Sequence, residues 1–535
     1  MKIDLKCLYG VLIFVFLLSS AEVSGQARVR KLSTIINHPS LNLYAPYISA
    51  DANAVVFLSD NAEDHALTPF FSFRENSDWK DPQVLPKLIN TRLNFLRGYG
   101  LNADGSTLYF STMKSPGVGG FDICTSEWRG GAAWASPVNL GAPINSRSHE
   151  ACPSITPDGK TLYFMRCVKM DQIRAEQCTI FRVDKRSNGL WGEPEELPAV
   201  INTGNSQAPR IMADAETLIF SSDKMGSSKG GMDLFLTKFQ NGEWTTPAPL
   251  EFVNTEKDDQ YVSVSGLGRY LLRDSPGVRK NELVEYLIPD NLRPKGMMKI
   301  EGTVVDEQGK PLQAYISLLD TETGQRVFNG RPNNDGTFLL YAKEGSHYEL
   351  AIDPEHGNKT YFAKHLDLTT DHIPQVEKVR AVLKPLVPGD EMDLGGIAFH
   401  ENSAELDLEC SQRELQRFGR MVTSNPDLKF EIQVLFDGYE EDSIQSNPDL
   451  TEMMIDTLHW LYIDIDTLGQ LYERDTASIH VRYHNDRTQQ QVQSIVEYLV
   501  SKGAQEGNIT GFANAVPAIL PDNKKTKVKA RVIRM

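Results

Sequence analysis

A segment that recurs every 53 to 56 residues constrains this chain more than any single motif, because a unit of that length must stack on its own copies to bury a core. YISADANAVVFLSD (47–60) returns as YGLNADGSTLYFST (99–112), PSITPDGKTLYFMR (153–166) and PRIMADAETLIFSS (209–222), and more weakly as VSVSGLGRYLLRDS (262–275). The aligned Asp51, Asp104, Asp158 and Asp214 stand 53, 54 and 56 residues apart. In the first four copies an Asp-containing turn separates two strand-like runs, and the second run alternates apolar and polar residues, as in TLYFS (107–111). A third run follows in FDICTSEW (121–128), CTIFRVD (178–184) and MDLFLTKF (232–239), then Trp134, Trp191 or Trp244. Each unit ends on proline and an Asn-containing turn: PVNLGAPINS (137–146), PEELPAVINT (194–203), PAPLEFVNT (247–255). Short strands at this period predict propeller blades, and five starts predict five blades, with a sixth, degenerate blade as the alternative. The opening KLSTIINHPS (31–40) reads as the tail of a unit without its beginning, expected to complete the last blade and close the ring.

At 535 residues and 40% hydrophobic content the chain has room for several folded units. A basic start (Met1 to Lys6), an apolar run (Leu8 to Leu18) and small residues around Ala21 to Gly25 have the form of a secretory signal peptide over residues 1–25. A retained N-terminal anchor is the alternative. Lipidation needs a Cys after the apolar run, and Cys7 precedes it, so no lipid anchor is expected. The formal charge of −16 has no compensating basic stripe, which argues against nucleic acid as a partner. No C-x-x-C pair occurs, so neither a zinc knuckle nor a dithiol redox motif is supported, and no cofactor is expected. Cys167 ends TLYFMRC and Cys178 begins CTIFRV, which predicts a disulfide across an antiparallel pair in an oxidising compartment. Two buried free thiols are the alternative.

The repeat, most clearly SITPDGKTLYF (154–164), resembles the WD-like propeller repeats of the TolB family, and the propeller is expected over residues 28–290. Asp104, Gly105 and their copies read as turn residues, and Tyr109, Phe110, Tyr163 and Phe164 as blade core. Neither an H-E-x-x-H helix nor a Gly-rich phosphate loop occurs, and no nucleophile elbow is read. His149, Glu150 and Cys152 are taken as blade-edge residues. The expectation is therefore a protein without enzymatic activity, with no catalytic residues and no metal ligands.

After the link LIPDNLRPKG (287–296) the pattern changes. The run G-T-V-V-D-x-x-G-K-P-L (302–312) and the later D-G-T-F (335–338) resemble the carboxypeptidase regulatory-like domain, which implies a small transthyretin-like β-sandwich over 298–385. From 394 to 535 a strand-helix-strand series ends in the amphipathic helix RTQQQVQSIVEYLVSKG (487–503), with Val492, Ile495, Val496, Leu499 and Val500 on one face. This series resembles the OmpA C-terminal domain, an α/β fold that binds the diaminopimelate of peptidoglycan through an Asp at a strand end and an Arg on the next helix. Asp437 matches the family Asp, and Gln491 occupies the position of the Arg. A rival register makes Asp486 the Asp and leaves Gln491 in place. Arg487, one turn earlier, is a candidate substitute cation. The resemblance thus implies a degenerate peptidoglycan site, with an insertion at 446–475 between strand and helix.

Propeller, regulatory-like and OmpA-like regions in this order resemble OmpA-family proteins of Bacteroidetes with propellers, including PorE-type components of the type IX secretion apparatus, without tetratricopeptide helices. The resemblance implies a periplasmic, outer-membrane-associated scaffold that binds outer-membrane or periplasmic proteins through its propeller, with peptidoglycan as an open question. The alternatives are an exported propeller hydrolase or lyase, and a glycan or peptide sensor.

Overall fold

Each copy of the repeat folds into one antiparallel sheet of four principal strands, and a computed structural model shows five of them. It describes residues 29–60, 67–114, 116–224, 229–265, 268–355, 359–370, 376–401, 403–436, 440–442, 451–485, 487–512, 516–517 and 526–533. The expected signal peptide, residues 1–25, lies outside them. Blade 1 runs Leu43–Ile48, Ala54–Asp60, Leu67–Glu75 and Asp78–Trp79, and blade 2 runs Gly100–Leu101, Thr107–Thr112, Asp122–Glu127 and Val138–Asn139. Blade 3 is His149–Ile155, Thr161–Met170, Ala175–Asp184 and Glu195–Glu196; blade 4 is Gln207–Ile211, Thr217–Ser222, Asp233–Gln240 and Glu243–Trp244. Blade 5 takes Ser263–Ser265, Tyr270–Pro276 and Asn281–Leu287 from its own repeat and its fourth strand, Val29–Lys31, from the N-terminal side. This is a β-propeller whose first and last strands share a sheet.

The repeated residues have repeated jobs. Asp51, Asp104, Asp158 and Asp214 each accept the N–H two residues on, from Asn53, Ser106, Lys160 and Glu216, at 3.0, 2.9, 3.1 and 3.1 Å. The residue after each Asp is left-handed, with φ from 56° to 74° (Ala52, Gly105, Gly159, Ala215). Gly105 is required on a second count, since a Cβ there would lie 2.2 Å from that of Ala54. Six residues beyond each Asp, Phe57, Phe110, Phe164 and Phe220 are buried to 1% exposure or less. Tyr109 and Tyr163 are buried as well.

The turn asparagines hold the blades shut. Asn145 accepts from the Ile123 N–H at 2.8 Å and donates to the same residue's carbonyl at 3.0 Å. Asn202 does this to Ile180 (2.8 and 3.0 Å), and Asn254 to Leu234 (3.0 and 3.0 Å). A side-chain amide is the one group that reproduces both halves of a backbone pair, so each asparagine extends the ladder by a step. Asn37, in the N-terminal tail, clasps Leu283 of blade 5 in the same way, at 2.8 and 3.0 Å. Beside it Arg30 pairs with Glu285, and Lys31 with Glu282 at 2.6 Å.

The chain divides into two compact units: one runs to Glu301 and includes Leu339–Tyr348 and Asp367–Lys378, the other holds Gly302–Phe338, Glu349–Leu366 and the chain from Val379 onward. Seven strands lie between Met297 and Val382. In the second unit, strands Glu391–Asp393, Thr526–Ile533, Lys429–Phe436 and Ile509–Gly511 form a sheet in that order. Helices α1 (Leu408–Ser424) and α2 (Thr488–Ser501) share one hydrophobic core with it, through Phe418 and Met421 of α1 and Val492, Ile495 and Leu499 of α2. Lys429–Phe436 and Ile509–Gly511 are parallel, as a strand-helix-strand crossover requires. The expected insertion, 446–475, overlaps a hairpin of two 15-residue strands that reaches further along the chain, Thr451–Ile465 and Leu471–Asn485.

Replacing Asn37 by Ala strands a buried N–H and a buried carbonyl of Leu283, and is expected to cost about 2–4 kcal/mol in urea unfolding. Asn37→Asp keeps the acceptor but sets a buried carboxylate oxygen against the Leu283 and Leu32 carbonyls, and should cost at least as much. Equal midpoints for wild type and Asn37→Ala would refute the clasp.

Candidate functional site on the propeller axis

Four of the five inner strands carry a left-handed residue within them or just before them: Ala45, Cys152, Ala208 and Tyr261, with φ between 46° and 55°. In blades 1, 3 and 4 the register shifts at this point, between Tyr44 and Tyr47, Ala151 and Ser154, Gln207 and Arg210. Such a bulge re-aims the side chains that follow. The residue two places beyond each left-handed position is Tyr47, Ser154, Arg210 or Ser263, Gly100 is their counterpart in blade 2, and contacts across the ring join these positions. The Tyr47 hydroxyl lies 3.4 Å from that of Ser154, which also accepts the Ile211 N–H at 3.1 Å. Ser263 accepts the Ile48 N–H at 3.1 Å, and the Arg210 guanidinium sits 4.8 Å from the centre of the Tyr47 ring. Gly100 leaves room for this packing, since a Cβ there would lie 2.5 Å from the Pro153 carbonyl oxygen.

Near the bulges the axis is closed by an apolar cluster of Phe95, Phe121, Cys152, Ala208 and Tyr261. Burial pushes the Cys152 thiol up to about 12, so it stays protonated and unreactive. Beside the cluster Arg97 lies 5.8 Å from the Tyr261 ring, and Asp274 accepts the Ala45 N–H at 3.2 Å. Burial raises the Asp274 carboxyl above its usual range, against the Ala45 hydrogen bond and the charges of Arg273 and Arg97. Toward the Asp-containing turns the axis opens into a cavity of about 50 Å³ lined by Tyr47, Asn102, Arg210, Ser263 and Lys295 among others. A larger cavity, about 410 Å³, lies in the second unit, rimmed by Lys384, Glu391, Asp393 and Glu414. Burial raises the Glu414 carboxyl, which accepts from the Tyr361 hydroxyl.

Cys167 and Cys178 face each other across paired strands with their sulfurs 2.09 Å apart. His149, Glu150 and Cys152 take separate partners: the His149 ring accepts the Phe121 N–H at 3.2 Å, while Glu150 holds Arg166 at 2.7 Å. Gln491 is buried on α2 and donates to the Ser403 carbonyl at 3.2 Å; Arg487, at the helix start, is buried too. Asp437 and Asp486 lie outside the described residues. Sequence reasoning missed Tyr47, Arg210 and Asp274. Tyr47 and Arg210 had a signal: four residues before each turn Asp, the repeat changes from Tyr to Gly, Ser and Arg.

No protein-family model matches the chain. No curated protein matches it. Among solved structures it is similar to TolB from Acinetobacter baumannii, at 14% identity and a TM-score of 0.30 over 46% of this chain and 54% of that one. It is similar to an endo-arabinase from Bacteroides thetaiotaomicron, at 17% identity and a TM-score of 0.33 over 47% and 95% of the two chains. An oligogalacturonate lyase is similar at 12% identity and a TM-score of 0.28 over 49% and 94%. Enzymes stand beside TolB in this set, and that corrects the expectation of a protein without enzymatic activity: strand pattern alone does not separate the two classes. The reading of no nucleophile elbow is corrected as well. Residues 226–230 (GSSKG) spell G-x-S-x-G, within a strand-to-strand connection, and Ser228 lies outside the described residues.

A carboxyl raised on folding favours the folded state at pH below its ordinary 3.8, and that contribution is lost as pH rises through the raised value. Asp274→Asn should therefore melt above wild type at about pH 7, with the gap closing below about pH 4. Calorimetry at both pH values checks this, and a gap that widens on acidification contradicts it.

Proposed function

We propose that this protein is an exported envelope scaffold that binds outer-membrane or periplasmic proteins, in the manner of the OmpA-family proteins it resembles. In this reading residues 1–25 are a signal peptide, 28–290 the propeller, 298–385 a regulatory-like sandwich and 394–535 an OmpA-like domain, with the type IX secretion or gliding apparatus as the setting. The observation that carries it is the hairpin Thr451–Ile465 and Leu471–Asn485. Its surface exposes Ile455, Leu461, Ile463, Ile465, Leu471 and Ile479 to between 55% and 73%. Apolar side chains at that density are held in water at a cost that a protein partner removes, and an edge strand of 15 residues can pair with one. The parallel crossover through α2 supports the OmpA-like reading.

Crosslinked envelopes from a cell making the tagged full chain should yield outer-membrane proteins with it. Leu461→Asp with Ile463→Asp should lose at least part of that set while leaving the melting curve unchanged. Fractionation as a free monomer with turnover of a glycan or peptide would overturn the scaffold reading.

Gln491 lacks the cation that pairs with a peptide carboxylate and is already bonded to the Ser403 carbonyl. Loss of such a charge-assisted bond removes about tenfold or more in affinity. The full chain should accordingly bind diaminopimelate-type sacculi weakly. Tight binding that Asp437→Ala abolishes would show a working site.

A further inference from the structure

Arg210 is 2% exposed, and its charge has no carboxylate opposite it among the described residues. Its Nε donates to the Val262 carbonyl at 3.2 Å and one Nη to its own neighbour, the Pro209 carbonyl, at 3.1 Å. The second Nη has no acceptor among the described residues. Two other sequestered guanidiniums are neutralised: Arg417 faces Glu349 at 2.8 Å and Asp353 at 3.1 Å, and Arg273 faces Asp259 at 2.7 Å. An ion held away from water needs either a counter-ion or solvent, and carbonyl dipoles supply only part of that.

The space for a counter-ion adjoins it. The axial cavity of about 50 Å³ exceeds the roughly 10–15 Å³ that one water needs, and no Asp or Glu lines it. Lys295 also lines it, though its ammonium lies 3.8 Å from Glu216. The Tyr47 ring flanks the guanidinium, and its hydroxyl has one weak contact, with Ser154 at 3.4 Å.

We infer that the axial cavity binds a small anion, of halide or carboxylate size, held by the free N–H groups of Arg210 beside Tyr47. Two sources share this chemistry: a dissolved anion, and the terminal carboxylate of a peptide reaching the axis. The cavity admits a single anionic group rather than a polymer, and this assignment stands apart from the scaffold reading, which rests on the hairpin.

The test uses the full chain at constant ionic strength, replacing gluconate stepwise with bromide or acetate and following the melting temperature. The expected result is a saturable rise with both anions, weakened about tenfold or more in Arg210→Gln. A rise only with a short peptide bearing a free C-terminal carboxylate, again dependent on Arg210, assigns the anion to a chain end. An equal response in Arg210→Gln, or no saturable response to any probe, overturns the site. If the variant does not fold, bromide-soaked crystals of the wild type decide: an anomalous peak in contact with the Arg210 guanidinium is expected, and its absence there overturns the site.

Discussion

The propeller depends on one polar interaction made four times, the asparagine amide that returns from a blade's closing turn to bond both backbone groups of a residue in its third strand. Hydrophobic packing alone would let the third strand slide against the turn, since Leu, Ile and Phe side chains tolerate small shifts in register. An amide that must meet one N–H and one carbonyl of the same residue does not. Asn145, Asn202 and Asn254 fix blades 2, 3 and 4 in this way. Asn37 does it across the seam, bonding Leu283, 246 residues away in the sequence. The ring is thereby closed by the same device that closes a single blade. An unclosed propeller would leave Asn281–Leu287 with a bare outer edge, the feature that β proteins suppress to avoid association.

Closure also explains why the axis can hold polar groups at all. Once five inner strands are fixed, the residues they present inward have no freedom to reach water, and each must find a partner in the ring. Ser154 and Ser263 find backbone N–H groups of the neighbouring blade, and Gly100 avoids the question by having no side chain. Arg210 is the exception, because a guanidinium carries more donors than the two carbonyls beside it can accept. A lysine elsewhere in the chain follows the ordinary rule of pairing. Lys299, nearly buried, lies 3.0 Å from Asp51 and 2.7 Å from Glu301.

The blades were legible in the sequence because their determinants are local. An Asp that bonds two residues ahead, a left-handed residue after it and a phenylalanine six places on all fall within one 14-residue string, and copies of the string can be aligned by eye. The N-terminal tail was legible for the same reason: IINH (35–38) has the asparagine of INSR (144–147) and INTG (201–204) without a blade before it. The axis was not legible, because its chemistry arises where different copies converge. Tyr47, Ser154 and Arg210 occupy one position of the repeat, and a comparison that rewards sameness treats their differences as noise. Nothing in the string PRIM (209–212) shows that its arginine lies within reach of a tyrosine 163 residues earlier. In the C-terminal strand-helix series, α2 was legible from its apolar spacing, whereas the burial of Gln491 against Ser403 depends on a loop 88 residues away.

The hairpin was visible only as extra length, and its form follows from a different constraint. A hairpin over residues 451–485, between a strand and the helix that crosses back, must leave and return at nearly the same place, because Lys429–Phe436 and Ile509–Gly511 are parallel neighbours whose spacing the crossover fixes. Two antiparallel strands meet that requirement at any length, since each added residue on the way out is matched by one on the way back. The geometry therefore sets no limit on how far the hairpin extends, and no core demands its apolar residues. Alternation puts Ile455, Leu461, Ile463 and Ile465 on the same face as Leu471, Ile479 and Val481, with Ile455 opposite Val481 and Ile465 opposite Leu471, while Trp460 and Tyr462 occupy the other. Cross-strand pairs of this kind stabilise the hairpin itself, yet both faces remain in water. In the scaffold reading proposed above, a protein partner covers these residues, and the demand for them then lies in that interaction rather than in the fold.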